Sequence, residues 1–270
     1  MTKFFHGEMK DPIIVLAKQR SGTNFIRGIM SSTFDYKDLD ECFIIQRSAP
    51  PHSFVHMSST LINYSNVIDR QAFDVFDSYF SKIFENFSRN IIVDIKYNHA
   101  FVCNEANQGI ESVPSLLTYI YSKNWPVVHV IRENIIASFI SGKIAEMNGV
   151  FHHRVGEKVP VIFPIEINPI SLIDSLERRD AEIKSFKSYH KDADVGCTIY
   201  YEEFSKDGFL NTALRPISQM LRNTKNVTIE GWGPAFHNKI IKDYRDFTLN
   251  WKEIENIILK DGRWSHLIDT

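Results

Sequence analysis

The residues with the clearest chemical potential lie in the run Ile13–Met30, IIVLAKQRSGTNFIRGIM. A short turn there carries two cations (Lys18 and Arg20), two hydroxyls (Ser21 and Thr23) and one glycine (Gly22), and a segment of helical period follows at once. Backbone N–H groups at the start of a helix have no intrahelical acceptor, and the helix dipole adds partial positive charge. Amides, hydroxyls and cations gathered this way make an anion site. The same run also suits an ordinary strand-to-helix turn capped by Ser21 or Thr23. It is not the phosphate loop G-x-x-x-x-G-K-S/T, because Gly22 stands alone and Arg20 precedes it where a lysine would follow the last glycine.

A second pattern lies in Val127–Val150, VVHVIRENIIASFISGKIAEMNGV. Arg132 closes an apolar run, and Ile135, Ile136, Phe139, Ile140 and Ile144 form the apolar stripe of the helix that follows. Asn134, Ser138 and Ser141 fall on its polar face, since residues three to seven apart nearly coincide around a helix. A guanidinium at a strand end facing a helical hydroxyl is a compact phosphate clamp. Ser141 and Ser138 compete for the hydroxyl role.

Both patterns need strands that end beside each other. Five short, nearly continuous apolar runs predict strands at Ile13–Ala17, Cys42–Ile45, Ile91–Ile95, Val127–Ile131 and Cys197–Tyr201. Segments of helical period between them predict helices over Asn24–Phe34, Ile68–Phe87, Asn134–Met147 and Ser171–His190. Strand alternating with helix predicts an α/β fold with a parallel β-sheet flanked by helices, and no linker divides residues 1–270, so a single domain is expected. The Ser48–Ser59 loop holds Pro50 and Pro51 side by side and reads as a surface loop or lid.

Composition narrows the function classes. The 270 residues are 43% hydrophobic and 24% charged, as in an ordinary globular protein. With 31 basic and 33 acidic residues the net charge is −2, which argues against a nucleic-acid coat and leaves room for a small anion held locally. Cys42, Cys103 and Cys197 are few and scattered, so neither a disulfide framework nor a zinc site is expected. No apolar run approaches the roughly 18 residues of a membrane span, and the first residues lack a signal-peptide pattern; a cytoplasmic, soluble protein is expected.

R-S-G-T directly after a first strand, followed by an aromatic residue, resembles the 5′-phosphosulfate loop of sulfotransferases that use 3′-phosphoadenosine-5′-phosphosulfate (PAPS). The resemblance implies a P-loop nucleotide-kinase-like fold and PAPS as co-substrate, with no metal. It implies that Arg20 contacts the phosphosulfate bridge, that Ser21, Gly22 and Thr23 hold the 5′-phosphate, and that Phe25 lies near adenine; Lys18 is a weaker charge on the same loop. Asn24 is similar to the bacterial and carbohydrate-acting branch, and the spacing of Arg132 to Ser141 matches that branch's 3′-phosphate clamp. Tyr201–Phe204 and the C-terminal stretch also resemble family elements, with Lys239 or Lys242 as further cofactor contacts. The C-terminal R-K-G motif of the cytosolic branch is absent.

Sulfuryl transfer needs a cation on the leaving oxygen and a base for the acceptor hydroxyl. The resemblance implies Glu41 as that base, with Asp38 and Asp40 as its neighbours and rivals. His99 is the alternative, and Lys96 is assigned to the sulfate or the acceptor. His52 and His56 in the proline loop are candidates for lining the acceptor site, as is the Phe151–Asn168 segment. The expected activity is transfer of a sulfuryl group to a hydroxyl of a carbohydrate, glycolipid or small metabolite. A P-loop small-molecule kinase and a non-catalytic nucleotide-binding module are the alternatives.

Overall fold

Four of the five predicted apolar runs form strands of one sheet in the computed structural model of the chain. It describes residues 11–44, 51–54, 57, 69–87, 90–101, 113–151, 153, 155–191, 195–204, 210–225 and 243–268. Strands β1 (Ile13–Ala17), β3 (Ile91–Lys96), β4 (Val127–Ile131) and β5 (Gly196–Tyr200) join a two-residue edge strand, β2 (Lys37–Asp38). Every pairing is parallel and the order is β2-β3-β1-β4-β5. The chain is therefore α/β, with a five-stranded parallel sheet flanked by helices.

The apolar runs are continuous because both sheet faces are covered. Ile14 and Leu16 point into a cluster with Phe76, Phe80 and Tyr119, while Ile13, Val15 and Ala17 point into another with Ile26, Ile29 and Ile217. Helices α1 (Thr23–Phe34) and α2 (Asp69–Asn86) lie between β1 and β3 in sequence. A short α3 (Tyr97–Ala100) and α4 (Ser115–Ser122) precede β4, and α5 (Ile135–Asn148) and α6 (Pro169–Lys191) precede β5. Then come α7 (Tyr201–Phe204), α8 (Leu210–Ala213), α9 (Arg215–Lys225) and α10 (Trp251–Asp261). No helix among the described residues is long and apolar enough to cross a membrane.

The strand expected at Cys42–Ile45 is not there: residues 41–44 form a turn, and Ile45 lies outside the described residues. Asp40 takes a left-handed φ of 59°, which ends the short extended stretch after Leu39 N–H donates to the Ile92 carbonyl. Cys42 and Phe43 then turn into the core, where Phe43 stacks on Phe54 at 5.2 Å. Their apolar character comes from aromatic packing rather than from a sheet position.

Register sets the site. Ala17 is level with Lys96 on one side and Val130 on the other. The segments after β1, β3 and β4 thus leave the same sheet edge side by side. Connections from β1 lead first to β2 and β3 on one side and later to β4 on the other, so the turn after β1 sits at the switch in strand order. In open α/β sheets that crevice is where ligands bind.

Candidate functional site

The turn after β1 has an unusual backbone. Arg20 adopts φ 69° and Gly22 φ 80°. A left-handed conformation is sterically costly for arginine and costs glycine little, and strain of this kind concentrates at binding sites. Gly22 is the N-cap of α1; no side chain caps that end, and its first turn holds no acidic residue. Ser21 and Thr23 are buried. The Arg20 guanidinium crosses to α5, donating to Ser141 Oγ at 3.4 and 3.3 Å and to the Phe151 carbonyl at 2.9 Å. All three bonds go to neutral acceptors. Lys18 is paired with Glu182 of α6. Asn24 accepts from Arg27, and Phe25 is partly buried against the second core cluster.

On the β3 side the turn meets an ion network. Lys96 Nζ donates to Thr23 Oγ1 at 2.6 Å and to Asp94 at 2.7 Å, and stands 3.7 Å from Glu41 Oε1. Arg27 lies 2.6 Å from Asp38, 2.7 Å from Asp40 and 3.1 Å from Asp94. Burial pushes the Asp94 carboxyl up, and the charges of Lys96 and Arg27 more than offset it, holding it below the ordinary value. Burial also opposes the Arg27 charge, but the three carboxylates outweigh that and raise its pKa. The carboxylates of Asp40, Glu41 and Asp94 lie within 4.8 Å of one another, and Lys96 and Arg27 are the cations against them. A resident metal would have to compete with both, so the donor set does not favour one.

The two candidate bases differ in what burial does to them. Burial raises the Glu41 carboxyl above its usual value, Lys96 opposing, while its side chain stays 25% exposed. Burial lowers His99 to about 4, the ring is only 5% exposed, and Nδ1 has no partner among the described residues. Glu41 is a stronger base than an ordinary carboxylate and open to solvent; His99 is neutral and enclosed. Lys96 is 3% exposed and fully engaged beneath the turn, so it braces Thr23 and Glu41 rather than reaching outward.

On the β4 side Arg132 donates to the Arg20 carbonyl at 3.0 Å and lies over the Tyr201 ring at 4.5 Å. Its buried Nε has no hydrogen-bond partner among the described residues. Glu202, next to Tyr201, accepts from the backbone N–H of Glu133 and Asn134 at the start of α5. The structure thus puts Ser141 against Arg20 rather than Arg132, while Ser138 Oγ faces the Gln19 carbonyl at 3.4 Å. Burial lowers the pKa of both Arg20 and Arg132, and for Arg20 the charge of Arg132 adds to it.

Lys18, Arg20–Phe25, Arg132 and Ser141 therefore gather at one sheet edge, with Glu41, Lys96 and His99 on its β3 flank. His52 does not open into the site: its Nε2 bonds the Leu39 carbonyl at 2.9 Å and its ring packs edge-on against Phe87. His56, Lys239 and Lys242 lie outside the described residues. Sequence reasoning missed Arg27, Asp94 and Arg179, whose Nη1 donates to Ser138 Oγ at 3.2 Å. Asp94 had a signal, as the one charge inside the apolar run IIVDI. Arg27 and Arg179 had none, being ordinary-looking charges on helices.

No protein-family model matches this chain, and a search of the curated proteins returns no match.

Proposed function

We propose that the chain transfers a sulfuryl group from PAPS to a hydroxyl of a carbohydrate, glycolipid or small-metabolite acceptor. One observation carries this reading. Arg20 and Arg132 converge on the turn after β1, at the crevice where the strand order switches, and neither forms a salt bridge with a carboxylate among the described residues, Glu202 acting on Arg132 only at longer range. Buried like charges without a directly paired counter-ion are costly, and a polyanion with two separated phosphate groups relieves them. The strand order with this turn at its switch point supports the P-loop nucleotide-kinase-like description of the fold.

In this reading the amides of the Arg20–Thr23 turn and the uncapped start of α1 hold the 5′-phosphate, and Arg132 with the polar face of α5 holds the 3′-phosphate. Arg20 trades its neutral acceptors for the bridging oxygen, where negative charge develops as the bond to sulfur breaks. Glu41 takes the proton of the acceptor hydroxyl, its basicity raised by burial. Lys96 keeps Glu41 and Thr23 in register.

Thermal-shift measurements with 3′,5′-adenosine bisphosphate, AMP and ATP–Mg test the reading. Stabilisation follows affinity, so the bisphosphate is expected to raise the melting temperature most. An ATP-selective response would favour a small-molecule kinase, and no response to the bisphosphate would sink the proposal.

A further inference from the structure

We propose that Arg179, in the middle of α6, holds the oxygens of the sulfuryl group while it is transferred. This rests on the proposed function and adds a catalytic residue to it. The resemblance put Lys96 on that group or on the acceptor, but Lys96 is enclosed beneath the turn, engaged by Thr23, Asp94 and Glu41. Lys18 is paired with Glu182, and Arg20 is placed on the bridging oxygen. The sulfuryl oxygens are thus left without a cation from the β1 and β3 turns, and α6 supplies one. Its middle lies across both turns: Glu182 reaches Lys18, and Phe186 stacks on Tyr97, the residue after β3, at 3.9 Å. Arg179 lies one turn before Glu182. Its Nη1 donates to Ser138 Oγ at 3.2 Å, and Ser138 Oγ faces the Gln19 carbonyl of the β1 turn. A Cβ placed on Gly142 would lie 3.6 Å from Arg20 Cγ and 4.0 Å from Arg179 Nη2, so the two arginine side chains meet at one point of α5. Arg179 therefore stands beside the group placed on the reacting bridge.

Its present partners leave it free to take an anion. Arg179 forms no salt bridge with a carboxylate among the described residues, and Glu182 acts on it only at longer range. Burial lowers its pKa to about 10, which keeps it protonated at neutral pH. Like Arg20, it can exchange a neutral hydroxyl for a charged oxygen. In the transfer, the acceptor oxygen bonds to sulfur as the bond from sulfur to the bridging oxygen breaks. The electron pair of that bond leaves with the bisphosphate, the acceptor proton goes to Glu41, and sulfur keeps its oxidation state. Arg20 answers the charge that develops on the leaving oxygen, whereas Arg179 answers the charge carried by the three oxygens that move with sulfur. Its planar fork holds them in line between the leaving and attacking oxygens, and it exchanges no proton.

PAPS and 3′,5′-adenosine bisphosphate differ by the sulfuryl group alone, so their comparison tests the inference without an acceptor. Isothermal titration of wild type, Arg179→Met and Arg179→Lys with PAPS, the bisphosphate and 5′-AMP provides it. Loss of a charged hydrogen bond to the sulfuryl oxygens should weaken PAPS by about 10- to 100-fold in the methionine variant. Binding of the bisphosphate should change by less than about 2-fold, which also shows that the variant is folded. Lysine should restore part of the loss, keeping the charge without the planar fork. Equal weakening of PAPS and the bisphosphate, or unchanged affinity for PAPS, would overturn the role of Arg179. A wild type that binds the bisphosphate no more tightly than AMP would overturn the proposed function, and the inference with it.

Discussion

Replacing Arg27 by methionine removes the cation shared by three carboxylates while keeping aliphatic bulk in α1. The Arg27 side chain is 3% exposed and Asp94 is 0% exposed, with 3.1 Å between them. At an effective dielectric constant of about 20, the attraction over that distance is roughly 5 kcal/mol before desolvation is counted. Removing one partner of a buried pair costs about 3–5 kcal/mol. Lys96 stays 2.7 Å from Asp94, and Asp38 and Asp40 are 30% and 61% exposed, so they recover hydration. Both facts place the loss near the lower end, about 3 kcal/mol. In a chain of this size that lowers the melting temperature by roughly 6–12 °C. Asp40→Asn is the control: it breaks a contact to the same guanidinium from an exposed side chain and should cost under about 1 kcal/mol. Urea unfolding followed by circular dichroism at pH 7 measures both. The acid limb gives an independent check. The lowered pKa of Asp94 contributes stability present above its unfolded value near 4, and that stability is lost as pH falls through the lower folded value. Arg27→Met should therefore show less additional loss below about pH 4 than wild type. If Arg27→Met and Asp40→Asn cost the same, the buried network does not hold this corner of the fold and the reasoning fails.

Glu41→Gln should lower turnover by about 100-fold or more while changing bisphosphate affinity less than about 2-fold; full activity in this variant would move the proton to His99. The same variant should be at least as stable as wild type at pH 7, because burial disfavours the ionised carboxylate that it removes. His99, lowered to about 4 by burial, binds a proton more weakly folded than unfolded, so its contribution to stability is lost as pH falls from about 6.5 toward 4. His99→Gln should remove roughly 3 kcal/mol of that decline in chemical denaturation across this window. An unchanged pH profile would show that the ring titrates normally.

How much could be read from the residues depended on whether local pattern or tertiary contact decided the outcome. Ile13–Ala17 and Val127–Ile131 were legible to the residue because a buried parallel strand must be apolar on both faces. The same rule misplaced the second strand, because burial in an aromatic cluster makes Cys42 and Phe43 look the same as strand burial. The cationic turn was legible as a type of chemistry, since hydroxyls, glycine and arginine were contiguous. Its partners were not. Arg27 reaches Asp94 from another element, and Arg179 meets Ser138 across 41 residues of sequence, contacts that no spacing rule anticipates. Ser141 was expected against Arg132 and stands against Arg20, because Arg132 instead lies over Tyr201.

The central claim is that one adenosine ligand is gripped at two phosphates by two separate parts of the turn and the α5 face. Phosphorus-31 NMR of 3′,5′-adenosine bisphosphate resolves those two groups in one titration. Adding wild-type protein should shift and broaden both resonances, and Arg132→Met should release the 3′-phosphate signal while the 5′ signal still responds. If neither resonance moves with wild type, or only the 5′ signal does, the account of this site is wrong.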